Sequence, residues 1–452
     1  MQKLITKYGL AAHLALLAVA PLFLSPNCVL WLSAVAAVWV VMEPSRIGFE
    51  TLHASRKRSV GAIVRDPVFW FSIVLVAYSA IRFLNGGVAM AYDAELTLWK
   101  VTEPMMPILP GSVDSAGCPE FVANVALLIV LQGCRHALGQ SARMAFLLIS
   151  SFLSGLSASI LAVQFVSGSQ GINDLVVCGM SNPIFRGSVF GAYWIVGTVA
   201  MLAAYERRWF MVMPLAFVAV GGNAAGMFLF APPMVHVPFA GGAVVVFLYA
   251  FFYARRRLPK SGEFKFLIAY SMSLVLGGVL VVAALPDKMM AERLVPYLTG
   301  KFFADDFLVI RNVLSTISLK VWKDNPWLGT GLGSFPLDLR FAATETDWAI
   351  VSSAQRAPLN GYWLLLVERG IVGAAMMAFA LGFLLWTFFR RMVKGVRVAI
   401  PHPASWMGLL VLIVVLVEAA VDVSYSIPGV FVVVAATLAI SASSFPKEIH
   451  HG

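Results

Sequence analysis

About twelve apolar runs, most of them near the length that crosses a bilayer, constrain this chain more than any other feature. They fall at about 9–25, 28–42, 67–84, 119–133, 144–166, 188–205, 209–230, 238–254, 266–286, 370–389, 405–421 and 427–443. A hydrocarbon core of about 30 Å takes about 20 helical residues. Within lipid every backbone N–H and C=O needs a partner in the chain itself, so such runs fold as helices. The expected fold is an all-α integral membrane protein of about twelve transmembrane helices. Composition agrees: 60% of the 452 residues are hydrophobic and 12% charged, about half the charge of a soluble domain.

The net charge of +10 does not point to nucleic acid. Lys and Arg sit in short clusters between apolar runs, which is how membrane topology is written. Most of the 33 basic residues fall on one side when the runs alternate. That side receives Arg46, Arg56, Lys57, Arg58 and Arg65, then Arg135 and Arg143, Arg207 and Arg208, Arg255 to Arg257, and Arg390 and Arg391. Both termini are expected on that cytoplasmic side. The first run reads as a membrane helix rather than a cleaved signal, because a second run follows at once. Four cysteines exclude a disulfide framework. Cys28, Cys118 and Cys178 share the other side, and one pair among them is open to bonding.

The organisation is therefore 1–286 with nine helices, a long non-cytoplasmic loop at 287–369, and 370–452 with three helices and a cytoplasmic tail. The loop is not a spacer. Its apolar residues recur at helical spacing from 307 to 322, with Arg311 among them, and Asp305 and Asp306 suit a helix N-terminus. Asn325-Pro326 stops that helix. Gly329, Gly331 and Gly333 follow. They do not sit after a strand in a βαβ unit, so a nucleotide loop fails its context test. Two readings remain: a tight turn packing against helix ends, or a nest of N–H groups on a phosphate or sugar oxygen.

Two further segments carry candidate chemistry. In Arg356 to Gly373 a polar turn with Asn360 and Tyr362 enters an apolar helix interrupted by Glu368 and Arg369; these two are either functional or a pair snorkelling at the interface. In Asn182 to Gly191, Arg186 stands at a helix N-terminus, against the helix dipole, and calls for an anionic partner.

Together these segments resemble the O-antigen ligase and O-antigen polymerase family of bacterial membrane glycosyltransferases. The resemblance is carried by Arg311, then Asp324, Pro326, Gly329, Gly331, Gly333 and Phe335, then Asn360, Tyr362, Leu364, Glu368, Gly370 and Gly373. It implies a GT-C-like fold with a helical periplasmic loop in the bacterial inner membrane. It implies transfer or polymerisation of a polyprenyl-pyrophosphate-linked glycan, by inversion, with no metal or other cofactor. The implied partners are that donor, a glycan or lipid A core acceptor, and membrane lipids, with no nucleic acid. Arg186 and Arg311 are the leading ligands for the pyrophosphate, because a guanidinium meets phosphate oxygens in pairs. Asn360, Tyr362, Gly331, Gly333 and Arg356 complete the expected substrate-binding set; Arg82, Lys100 and Arg340 are secondary.

The chain departs from the pattern at two places. Leu359 stands where the family carries His. The region near the eighth run reads Pro232 to Pro238 and has no Arg. His236 and Glu368 are therefore the candidate catalytic bases, with Glu345 and Asp347 as alternatives. A lipid-linked glycan transporter or flippase, or a non-catalytic envelope-glycan assembly protein, is the competing expectation. Glu418 and Asp422 near one run end are acids of the kind a transporter uses.

Overall fold

The computed structural model describes residues 2–23, 26–42, 61–88, 90–93, 98–101, 106, 108–167, 186–231, 233–285, 307–351, 360–395, 402–420 and 428–444. Helices dominate them. The first are α1 (Gln2–Phe23), α2 (Pro26–Met42) and α3 (Pro67–Leu84). A small antiparallel hairpin follows, β1 (Met90–Asp93) on β2 (Leu98–Val101), with Met90 opposite Val101. It lies between the apolar runs at 67–84 and 119–133. Next come α4 (Asp114–Gln132), α5 (Gln140–Ser167), α6 (Arg186–Glu206), α7 (Met213–Phe230), α8 (Pro233–Arg257) and α9 (Lys260–Ala284). The long loop holds α10 (Phe307–Asp324), α11 (Phe335–Ala342) and α12 (Glu345–Val351). The chain closes with α13 (Gly361–Gly395), α14 (Ala404–Ala419) and α15 (Pro428–Ser444).

Eight of the helices are long and apolar enough to cross a membrane. They are α3, α4, α5, α6, α7, α8, α9 and α13, several with short extensions, and all match runs seen in the sequence. The other four runs correspond to shorter apolar helices, in α1, α2, α14 and α15. Burial sorts the helices. In α6 nearly every residue is enclosed, packed by α5, α7, α8 and α14. At the opposite extreme α9 turns Phe264, Met272, Val275, Val279 and Val282 outward, the apolar exterior that lipid rather than water would solvate.

Polar joints mark one end of the bundle. Asp66 caps α3 by accepting from Val68 N (3.1 Å). The same carboxylate takes Arg135 Nε (2.7 Å), Arg135 Nη2 (3.1 Å) and a His136 ring nitrogen (2.8 Å). Burial alone would raise its pKa, but the His136 and Arg135 hydrogen bonds outweigh it and bring the value down to about 2. Nearby in this order of helix ends, His402 meets Glu206 at 2.9 Å and joins the start of α14 to the end of α6. Since Ser188 at the start of α6 reaches Glu418 near the end of α14, these two helices run antiparallel and are pinned at both ends.

The loop has its own small core. Leu314, Ile317 and Val321 share one face of α10 and pack with Phe335, Leu339, Val351, Leu364 and Val367. The helix expected at 307–322 is present, and it ends at the Asn325-Pro326 turn. Asp305 and Asp306 lie outside the described residues. Cys28, Cys118 and Cys134 are free thiols, and Cys178 lies outside the described residues.

Candidate functional site

The glycine-rich turn and the break in α13 form one clasp. Helix α13 departs from helical geometry at Gly370, with φ 60° and ψ −170°, a region only glycine enters freely. Across the break, Ile371 N and Val372 N donate to the Pro326 and Trp327 carbonyls (2.9 and 3.1 Å). In return Thr330 N and Gly331 N donate to the Val367 and Glu368 carbonyls (2.8 and 3.3 Å). The two backbones cross so closely that a Cβ on Gly370 would overlap the Trp327 carbonyl, and one on Gly329 would overlap the 367–369 backbone. Broken helices leave carbonyls and N–H groups unpaired; here the turn supplies the partners.

The N–H nest reading fails in this conformation. Gly329 N donates to Asn325 O, Leu332 N to Gly111 O, Gly333 N to Glu368 Oε1 (3.0 Å) and Ser334 N to Gly331 O. With Thr330 and Gly331 also engaged, every N–H from 329 to 334 has an acceptor within the chain. Gly331 and Gly333 are thus parts of a tight turn, not free ligands for a phosphate. Ser334 and Thr330 extend the clasp to Asp338, whose carboxyl burial pushes up against the hydrogen bonds of Thr330 and Ser334.

Behind the clasp lie four buried charges. Arg82 is fully buried, and Glu120, Glu368 and Arg369 are 2%, 6% and 7% exposed. Arg82 Nε donates to Gly111 O (3.3 Å) and Nη2 to the Glu368 carbonyl (3.2 Å), tying α3 to the broken helix. Glu120 from α4 lies 2.6 Å from Arg369 Nη1 and 3.8 Å from Arg82 Nε. Neither Glu120 oxygen is aligned for a hydrogen bond, and Arg82 Nη1 and Tyr78 Oη have no hydrogen-bond partner among the described residues. The group is held by charge more than by hydrogen bonds, a costly arrangement away from water. Of the two readings open for Glu368 and Arg369, snorkelling does not match the structure: both point into the protein because their partners are in α3, α4 and the turn.

An apolar cavity of about 370 Å³ lies next to this cluster, between α13, α14 and α15. Leu366, Leu412, Leu416 and Val434 line it, with Tyr362 as the aromatic contact and Met377 on its wall. Met377 Sδ is 3.3 Å from Arg369 Nη1, so one side chain touches both the cavity and the buried charges.

The end of α14 collects the other candidates. Tyr362 Oη donates to Leu416 O (2.7 Å), Arg311 Nη2 donates to Ala420 O (2.5 Å), and Ser188 Oγ donates to Glu418 Oε1 (3.0 Å). The last carbonyls of a helix lack internal partners and carry partial negative charge, which suits the Arg311 guanidinium. Arg186 opens α6 two residues before Ser188; its side chain lies outside the described residues, as do Arg356, Leu359 and Asp422.

Two further expectations change character. His236 is buried; its Nε2 is 3.1 Å from Met227 O, and its ring stacks on Phe228. That is a joint between α7 and α8, not a base facing solvent. Asn360 Oδ1 accepts from Tyr362 N (3.0 Å) and Trp363 N (3.4 Å) and so caps α13. Glu368 holds Gly333 N through its carboxylate, a positioning role. Glu345 stands exposed at the surface, and Asp347 holds Thr344 at the start of the same short helix. Sequence reading missed Glu120 altogether. Its signal was the one acid within the apolar run at 119–133, the kind of residue that marks an internal partner. No group of three or more His, Cys, Asp and Glu with metal-site geometry occurs among the described residues.

No family model matches this chain, and no curated protein matches it closely enough to indicate kinship.

Proposed function

We propose that this chain is a membrane glycosyltransferase of the O-antigen ligase and polymerase type, moving a glycan from a polyprenyl-diphosphate carrier to a glycan or lipid A core acceptor. In this reading the four shorter apolar helices also cross, giving twelve GT-C-like spans in a bacterial inner membrane, with both termini cytoplasmic. The observation that carries the reading is the apolar cavity bordered by Tyr362 and, through Met377, by Arg369. A lipid carrier with a diphosphate needs apolar volume with a cationic group beside it.

The chemistry follows from the leaving group. The bond between the sugar C1 and the diphosphate oxygen breaks, and its electron pair goes to the diphosphate. The acceptor hydroxyl oxygen bonds to C1 from the opposite face, and its proton passes to the released diphosphate or to water. Charge therefore grows on the diphosphate in the transition state, and fixed guanidinium groups there lower the barrier most. Arg311 and Arg186 are assigned that role, with Tyr362 at the cavity. The weight on the leaving group matches the engagement of His236 and Glu368 elsewhere and the apolar Leu359 in the family's His position.

The test is transfer by purified protein in lipid nanodiscs, with a polyprenyl-diphosphate oligosaccharide and a glycan acceptor. The expected result is a longer glycan, formed about a hundredfold more slowly by Arg311→Ala. No product, or an unaffected Arg311→Ala, contradicts the proposal. One observation favours a second reading, movement of the same lipid-linked glycan across the bilayer: a helix broken beside buried charges is a transporter feature. Proteoliposomes loaded with fluorescent carrier separate the two, since a flippase exposes the lipid to external quencher without adding sugars.

A further inference from the structure

Glu418 is the buried acid that the reaction above leaves without a task. It is fully enclosed, and it sits in the last turn of α14. Both facts weigh against a carboxylate: burial removes its hydration, and the carbonyl end of a helix repels negative charge. A side chain with two such penalties calls for a compensating role.

Its surroundings supply one. Ser188, also fully buried, donates its hydroxyl to Glu418 Oε1 at 3.0 Å. Ser188 lies two residues after Arg186, and Ala420, whose carbonyl receives Arg311, lies two residues after Glu418. The start of α6 is held from a second direction too: a Cβ on Gly187 would overlap Ala231 at the end of α7. The first turn of α6 is therefore packed against Ala231 and bonded to Glu418.

We propose that the Glu418–Ser188 hydrogen bond is a positioning device that sets the start of α6, and with it Arg186, against the end of α14 where Arg311 is held. This inference rests on the reading that both arginines serve one diphosphate. Glu418 touches no substrate; it acts through the two elements it joins. Guanidinium groups on different elements grip a diphosphate together only when their spacing is fixed, and a shift near 1 Å is enough to lose much of that gain.

The experiment is a binding titration on the full chain in nanodiscs. The probes are farnesyl diphosphate and farnesol, which differ only in the diphosphate. The variants are Ser188→Ala, Glu418→Ala, Glu418→Gln and Arg311→Ala. The wild type is expected to prefer the diphosphate. Ser188→Ala and Glu418→Ala reduce that preference about tenfold, while Glu418→Gln, which keeps a carbonyl acceptor for Ser188, restores it to within about threefold. A merely structural bond would alter both probes alike or neither, so the ratio is the readout. If Glu418→Ala does not fold, Ser188→Ala, which removes one oxygen, carries the test. Ser188→Ala with an unchanged ratio, beside a weakened Arg311→Ala, overturns the inference and leaves the proposed function standing. A wild type with no preference for the diphosphate overturns the proposed function and this inference with it.

Discussion

The two ends of the bundle handle buried charge in opposite ways. At the Asp66 end, one carboxylate receives a backbone N–H, two arginine nitrogens and a histidine nitrogen. Its charge is matched and its hydrogen-bonding capacity filled. At the Gly370 end, Arg82, Glu120, Glu368 and Arg369 are buried together; Glu120 lies 2.6 Å from Arg369, yet Arg82 Nη1 and both Glu120 oxygens lack an aligned hydrogen bond among the described residues. The first arrangement is joinery that stabilises a helix start. The second is expensive, and it borders the cavity and the broken helix. Among the described residues Arg82 and Glu120 carry the unsatisfied atoms of buried charges at the Gly370 end, whereas Gln132 and Ser405, toward the Asp66 end, are neutral groups.

That contrast is open to attack by mutation. Glu120→Ala is expected to have the largest effect, because it leaves two buried arginines with one acid, Glu368, between them; the loss is about 3–5 kcal/mol, read as a fall in melting temperature in detergent. Gly370→Ala comes next, at about 3 kcal/mol, from a positive φ and the overlap with Trp327 O. It should also free the glycine turn, raising amide exchange at 329–333. Weakening of the Asp66 joint is smaller and depends on pH. Its pKa is about 2 in the folded chain against the usual 3.8, so its contribution of about 2 kcal/mol is complete above about pH 5 and is lost as the pH falls through 2. A melting series over that range should show the loss, and Asp66→Asn should flatten that part of the curve. Asn360→Ala removes a helix cap and costs about 1 kcal/mol, the smallest effect, with little change beyond the first turn of α13. A Glu120→Ala protein as stable as the wild type would erase the distinction between the two ends.

Helices were legible in the sequence because their signal is local. Each apolar run became a helix, and the 307–322 periodicity became α10 with its own core. The turn at 329–333 was legible as a turn, though not what it clasps. Pairing across the fold was not legible. Arg82 reaches the carbonyl of Glu368, far along the chain, and no periodicity within α3 or α13 encodes that meeting. For Glu368 and Arg369 the sequence left a functional role and an interface pair both open because it shows neighbours, while each in fact faces a different partner. His236 and Asn360 looked chemical because their residue types are versatile; their local contacts, to Met227 O and to the N–H groups of Tyr362 and Trp363, show how each is used. The hairpin at 90–101 escaped notice because four-residue strands give almost no alternation to count.

The central claim is that the Gly370 end works on a lipid-borne diphosphate. The most direct measurement is glycan transfer by the purified chain in nanodiscs, wild type against Arg311→Ala, from a polyprenyl-diphosphate oligosaccharide. The account predicts transfer by the wild type and a rate lower by about a hundredfold in the variant, with similar melting temperatures. Equal rates in the two proteins, or no transfer by a folded wild type, would contradict it.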